Sequence, residues 1–403
     1  MFESFVLRRI ERVTISPTNS GATTEHPANA PSPPAFVVTS QTGGVEVIDR
    51  IAEAWRALCS ESSNDEPFYH PEWIAAHIRA FFPGATVVVI TASLNRKLRM
   101  VLPLLKDNAL ICGVPLRRLR SPVNSHSGRF DLVRPGGEEG NAAVAAVCGY
   151  LAALPGCDLL QFDEVPESGV LETLIELART SGLNTAKVPM RPNPYVSLPS
   201  TPDLLKQLPR NARLRTKLRQ VRRELAEKGT LHLRRIETAD QKALQRFYEL
   251  EAKGWKGRER SAIACNTKTR QFYDEVADTA ARYGYLSLYM LEFNNELLAA
   301  HFGLSHRGHY YSPKVAHDEQ RRDWAPGHLL VSEILQDCCG RGIEGYDILG
   351  PNDDWKMKWT AETRRKNTYF IFRKGLRSKL AYSIRFKLRP LAISWVRSRR
   401  RPQ

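Results

Sequence analysis

The sequence predicts an α/β (α+β) protein with two folded domains. Three observations carry this. Strand-like and helix-like segments alternate along the folded length. The chain has 403 residues with 42% hydrophobic side chains, enough to bury more than one core. A proline-rich stretch, Pro189 to Pro209, separates two halves whose elements follow a comparable order, although no residue-level repeat links them.

Residues 1–35 include TISPTNSGATTEHPANAPSPPA, a Ser, Thr, Pro and Ala segment with little apolar surface to bury, and read as a disordered lead. The first domain, 36–200, opens on a strand at Phe36-Val37-Val38-Thr39-Ser40 and a helix from Val45 to Cys59. PFYHPEW is a turn capped into a helix that ends near Phe82-Pro83-Gly84. TVVVITASL and LRMVLPLLKD read as paired strands, and Pro103 in the second argues for an edge or bulge there. A loop over Ser121 to Gly137 leads to a helix from Asn141 to Leu154. DLLQFDEV (strand), Gly169 to Ser181 (helix) and NTAKVPM (strand) complete the half.

The second domain, 201–372, starts with a helix over NARLRTKLRQVRRELAEKG. Leu214, Leu218, Val221 and Leu225 give it one apolar stripe, and its other faces are rich in arginine. A strand, TLHLRRI, and helices over Ala239–Lys253 and Thr267–Tyr283 follow. Tyr285 to Glu319 then reads as a three-stranded meander with turns at Asn294-Asn295 and His306-Arg307-Gly308, residues that tolerate positive φ. QRRDWAPGHLLVSEILQDCCGRG is a turn running into a helix closed by Gly340 or Gly342. IEGYDILG is a strand, and PNDDWKMKWT crowds aromatic and charged residues together. A turn that feeds a helix N-terminus after a meander suits a phosphate, because free N–H groups and the positive end of the helix dipole converge there. The same residues also fit a plain helix start, with Asp323 as cap and Pro326 in the first turn.

The formal charge is +16, yet 14 Lys or Arg and no Asp or Glu lie between Arg364 and Gln403, which leaves the rest of the chain near +2. Basicity is thus a property of the tail, 373–403, where Leu376, Leu380, Ile384 and Leu388 recur every four residues among cations. Such a helix fits the face of an anionic membrane or packs on the second domain. The arginine-rich helix lacks aromatics for base stacking, so nucleic acid is disfavoured as a partner. The seven cysteines are scattered without a CxxC pair and are expected to be reduced, buried thiols, with no metal bound. No run of 18 apolar residues occurs, and the N-terminus is too short and charged for a signal peptide, so a cytoplasmic protein, peripheral at the inner face of the membrane if the tail binds it, is expected.

From Phe68 to Phe372 the chain resembles the GNAT acyltransferase superfamily, in particular its CelD-type branch associated with cellulose and exopolysaccharide synthesis. That branch is similar in turn to the FemAB-like aminoacyltransferases, which carry two GNAT-like domains in tandem. The resemblance rests on PFYHPEW, the arginine-rich helix, FYELEAKGWKG and the Tyr285–Trp359 stretch. It implies two tandem GNAT-like domains and a pyrophosphate-binding turn of the form Q/R-x-x-G-x-G/A. Arg322, Ala325, Pro326 and Gly327 match that turn, with Ala325 where the first glycine is usual; His328 and Leu329 extend it in a CelD-like Pro-Gly-x-Leu-Leu pattern.

The resemblance implies acetyl-CoA or another acyl-CoA as donor, without a metal. Trp355-Lys356-Met357-Lys358-Trp359 looks like the F/Y-K-x-x-F/W motif of FemAB-like enzymes. It makes Lys356 the expected oxyanion-stabilising or substrate-orienting cation, with Asp353, Asp354, Trp355 and Trp359 beside it for the acceptor or its proton. Tyr311 and His301 lie on the meander, where a histidine reads first as a core residue; Tyr311 is taken as a catalytic candidate. Glu251 and Trp255 are expected to wall the acceptor side, or simply to close their helix. Three functions follow: an acyl-CoA-dependent N-acyltransferase acting on an amine of a sugar or polysaccharide precursor; a FemAB-like aminoacyl-tRNA-dependent transferase; or an inactive accessory protein. Polysaccharide synthase components are the partners that family context suggests.

Overall fold

Two mixed β-sheets organise the chain, and their central strands are largely apolar runs buried on both faces. The structure is a computed structural model and describes residues 11–14, 36–199 and 205–389. Strands β1 (Glu11–Thr14), β2 (Val37–Gly43), β3 (Thr86–Leu94), β4 (Lys97–Ile111), β5 (Val114–Arg120), β6 (Leu159–Pro166) and β7 (Asn184–Pro189) belong to the first sheet. Strands β8 (Asn193–Ser197), β9 (Leu231–Ile236), β10 (Leu288–Phe293), β11 (Glu296–His306), β12 (His309–His317), β13 (Gly345–Asp347) and β14 (Thr363–Arg364) form the second. A last strand, β15 (Lys366–Phe372), returns to the first.

The two sheets share one plan. β2-β3-β4-β5 is an antiparallel run, β5 and β6 are parallel, and β15 then inserts antiparallel between β6 and β7. In the second sheet β9-β10-β11-β12 is the antiparallel run, β12 and β13 are parallel, and β8 inserts antiparallel between β13 and β14. Each half therefore lends one strand to the other. This identical order and sense is the physical content of the tandem GNAT-like architecture. A division at 200/201 does not follow sheet membership, because β8 lies before it and β15 beyond it on the opposite sheets. The sequence reading missed both strands: β8 sits in the proline-rich stretch, and β15 shows its partners only once the halves are docked.

The halves are also joined by a shared core. The helix Pro71–Phe81 packs against the helix Thr267–Arg282, with the Trp73 and Phe272 rings 5.1 Å apart, and Phe68 meets Tyr311 edge-on at 5.2 Å. Asp65 accepts from His70 Nε2 at 2.7 Å, His306 Nε2 at 2.8 Å and Arg307 Nε at 2.8 Å, tying the first half to the β11–β12 turn. Arg129 binds both carboxylate oxygens of Glu66 at 2.8 Å and also the fully buried Asp347 on β13.

Most predicted elements fall in place. The meander turns at Asn294-Asn295 and Arg307-Gly308 take positive φ. Asn211 caps the arginine-rich helix Ala212–Lys228 through the Leu214 amide, and Leu214, Leu218, Val221 and Leu225 are its buried stripe. Several details differ. The helix expected over Val45–Cys59 is two, Glu46–Asp49 and Ala52–Glu61, broken near Ile51 at φ −114°. Pro103 lies where β4 pairs only with β3, since the ladder with β5 begins at Leu105; the bulge falls instead at Ala92/Ser93. Within the lead taken as disordered, Glu11–Thr14 pair with Val37–Ser40 as an edge strand; 1–10 and 15–35 lie outside the described residues.

The tail to Arg389 packs on the first sheet, not on the second domain. Its residues beyond 389 are outside the described range. No helix among the described residues is long and apolar enough to cross a membrane.

Candidate active site

An opening in the second half forms where β12 leaves its neighbour. β12 pairs with β11 along its length but with β13 only at His309–Tyr311, so its far half has no ladder on that side. A helix start fills the other wall of the wedge. After β12 the chain makes a 3₁₀ turn, Glu319–Trp324, and Ala325 adopts the left-handed region (φ 47°, ψ 51°) before the helix Pro326–Gly340 begins. An alanine held there costs roughly 1–2 kcal/mol, which a glycine would not. The structure thus makes Ala325, and not Asp323, the helix cap.

The resulting cleft has a volume of about 840 Å³. Val315, Ala316 and His317 from β12, and His301, which faces Val315 across the ladder, form one side. Arg322, Ala325, Pro326, Gly327 and His328 form the second; Trp255, Lys256 and Arg258 the third; and Asp353, Trp355 and Lys358 the fourth. Glu319 joins two of these walls, accepting from the Trp255 amide at 2.7 Å and from Arg258 at 2.8 Å.

The helix start leaves two backbone amides open to the cleft. Ala325 offers no side-chain acceptor and Pro326 has no N–H, so the Gly327 and His328 amides are left without an intrahelical partner. Among the cations lining the cleft, Lys256 is held by Glu251 and the Val315 carbonyl, and Arg258 by Glu319. Arg322 and Lys358 have no ion-pair partner among the described residues. Asp353 is answered by Arg191 at 3.2 Å and Lys356 at 3.7 Å. The cleft therefore carries excess positive charge beside free amides, the donor set a diphosphate needs.

Three histidines line the cleft, and their surroundings set different roles. His328 Nδ1 accepts from the indole N–H of the fully buried Trp359 at 3.0 Å. An indole can only donate, so this nitrogen carries no proton and the neutral ring carries its proton on Nε2. Burial and the nearby Lys358 lower its pKa to about 4. His328 is thereby fixed as a neutral donor. Replacing Trp359 with phenylalanine removes a bond that only the neutral ring accepts, so the His328 pKa should rise toward the ordinary imidazole value, read by ¹⁵N NMR titration. A His328 already protonated at pH 6 in the unaltered protein would contradict the assignment. His301 is fully buried with Nδ1 3.2 Å from Ser312 Oγ, and burial drives its pKa to about 3. Desolvation, opposed by Glu319, holds His317 only below its usual value, so it is neutral near pH 7 and able to accept a proton.

Of the residues read from sequence, Arg322, Ala325, Pro326, Gly327, His328, Asp353, Trp355 and Trp255 meet in this one cleft. Others do not reach it. Lys356 is buried, with Nζ donating to the carbonyls of Leu349 at 2.8 Å and Pro351 at 3.0 Å; it pins its own loop and does not face the cleft, and burial lowers its pKa to about 8. Asp354 is an exposed first residue of a short helix. Tyr311 points into the core between the halves, and Leu329 is buried in the second-half core. Trp359 and Glu251 stand one layer behind, holding His328 and Lys256 respectively.

Sequence reasoning passed over Lys256, His317 and Lys358 and set His301 aside as core. Lys256 had a signal, since it adjoins Trp255 in FYELEAKGWKG. Nothing local marked His317, whose relevance comes from the wedge beside β12.

The corresponding place in the first half lacks these features. The helix Gly137–Ala153 carries Glu138 and Glu139 in its first turn, which oppose an anion, and β5 ends where its pairing with β6 ends.

Comparison with known proteins bears on the fold. A family model for an acetyltransferase (GNAT) domain matches residues 212–357. Among solved structures the chain is similar to FemX, with 13% identity and a TM-score of 0.55 over 83% of this chain and 98% of that one. A tandem GNAT protein from the clavulanic acid biosynthesis pathway also matches, with 13% identity and a TM-score of 0.42 over 83% and 98%. No curated protein sequence matches the chain. Residues 212–357 thus match an acetyltransferase (GNAT) domain, which supports an N-acyltransferase, in a chain whose two halves share one GNAT-like plan.

Proposed function

We propose that the protein moves an acyl group, acetyl in the first instance, from acyl-CoA to an amine of a sugar or polysaccharide precursor in cellulose or exopolysaccharide synthesis. The observation that carries the donor half of this reading is the uncapped start of the Pro326–Gly340 helix, open to a cationic cleft beside an unpaired strand edge. The acceptor half rests on the CelD-type resemblance of the sequence.

The residues divide the work as follows. The Gly327 and His328 amides and Arg322 hold the diphosphate of the donor. The unpaired edge of β12 offers backbone groups to an extended amide-bearing chain. When bound, the acyl-CoA supplies a thioester carbonyl that an amine can attack. The neutral Nε2–H of His328 donates to oxygen on which negative charge develops, and its bond to Trp359 keeps that donor in place. His317 accepts the proton lost by the amine; His301, buried and the weaker base, orients. Lys356 acts from behind by fixing the loop that carries Asp353 and Trp355.

The FemAB-like resemblance of the sequence keeps an aminoacyl-tRNA donor as the second reading, and the FemX-like fold is compatible with it. Incubation with radiolabelled acetyl-CoA and amino-sugar oligosaccharides separates the two. Label on the sugar with release of free CoA thiol supports the first; label moving only from aminoacyl-tRNA replaces it with the second.

A further inference from the structure

The tail helix has two apolar sides, and the fold uses only one. Over Leu376–Tyr382 and the wider turns of Ser383–Leu388, the inward side is Ala381 with Tyr382, Ile384 and Phe386, which pack on β15 and β5. Tyr382 meets Phe372 with ring centroids 5.5 Å apart, Phe386 meets Phe370 at 5.5 Å, and Ser378 Oγ donates to the Asp158 carbonyl at 2.9 Å. Of the four-residue repeat only Ile384 turns inward; its three leucines are left outside. Leu376, Leu380 and Leu388 are 88%, 54% and 58% exposed, about three turns of leucine in water on a helix already anchored by aromatics.

We infer that this outward face is a docking surface for an anionic lipid bilayer. Charge decides the occupant. Exposed Lys374, Arg377, Lys379, Lys387 and Arg389 flank the leucines, and no acidic residue occurs from Arg364 to the end of the sequence. A second copy docked through the same face would set two identical cation arrays against each other, which opposes self-association. The chain beyond Arg389 is cationic too and gains nothing in charge by covering the patch. An anionic bilayer satisfies both components, taking the leucines into its interfacial zone and the cations at its headgroups. The sheet beneath holds the helix, so the surface is preformed and needs no folding on binding. This inference is independent of the acyl donor and acceptor.

The test is flotation of the full chain with vesicles of phosphatidylcholine containing about one-quarter phosphatidylglycerol, against phosphatidylcholine alone. The expected result is flotation with the anionic vesicles only, weakened by high salt, and reduced at least tenfold in the triple variant Leu376→Ser/Leu380→Ser/Leu388→Ser. The three side chains are exposed, so circular dichroism and acyltransfer should be unchanged in that variant. A chain ending at residue 389 should still float. Failure to float, equal flotation with neutral vesicles, or full flotation of the triple variant would overturn the inference. A dimer in sedimentation that the triple variant abolishes would give the face to a second copy instead.

Discussion

Replacing Gly327 with aspartate should lower affinity for acetyl-CoA at least 100-fold, about 2.7 kcal/mol, while leaving the protein folded. The two effects separate because of where Gly327 lies. It is in the first turn of a 15-residue helix, at ordinary helical φ, with one of the two free amides of the cleft. An acidic side chain in a first turn favours the helix by a few tenths of a kcal/mol to about 1 kcal/mol, so stability should hold or rise slightly. The same charge stands where the donor's diphosphate would sit and repels it. Gly327→Ala is the control. A Cβ there meets His317 Nδ1 at 3.4 Å and Cγ at 3.5 Å, ordinary contact distances, so affinity should stay within about threefold. Arg322→Ala should cost about tenfold, since the backbone amides remain. Calorimetry and thermal denaturation of the three variants check all of this; an aspartate variant that binds acetyl-CoA normally would remove the helix start from the donor site.

The largest stability effect should come from Arg129→Ala, a loss of about 3–5 kcal/mol in urea denaturation. Arg129 is 3% exposed and holds Glu66 from its own half together with Asp347, which is wholly buried on β13 of the other. Removing the guanidinium leaves the wholly buried Asp347 carboxylate with one cation, Arg364, 3.6 Å away. Asp347 Oδ1 also accepts from the Leu349 amide at 2.9 Å, at the head of the loop that Lys356 pins and that brings Asp353 and Trp355 to the cleft. The variant should therefore also loosen the site. Arg129→Met combined with Asp347→Asn should recover part of the loss, because no unpaired charge remains at Asp347. A change below about 1 kcal/mol for Arg129→Ala would contradict this view of how the halves are held together.

What could be read from the sequence was what local patterns specify. The meander, its two turns and the helix over Pro326–Gly340 were visible because alternation, positive-φ residues and a proline at a helix start are local signals. The turn over Arg322–Gly327 came with them. Strands β8 and β15 were invisible for the opposite reason. Each gains its partners from the other half of the chain, and the prolines around Asn193–Ser197 read as a linker. Lys356 shows the limit of motif reasoning. Its flanking aromatics matched a known pattern, but the side chain direction depends on carbonyls of Leu349 and Pro351, which no spacing encodes. The tail shows the same limit in a different form. The leucine repeat identified an amphipathic helix correctly, and then the aromatic residues between the leucines, with more area to bury, took the sheet.

Acyl-CoA binding in the cleft at Gly327 is the central claim. Isothermal titration of the full-length protein with acetyl-CoA should give saturable, one-to-one heat that Gly327→Asp abolishes and Gly327→Ala retains. No heat from acetyl-CoA or longer acyl-CoAs, with aminoacyl-tRNA retained by the same protein, would contradict it.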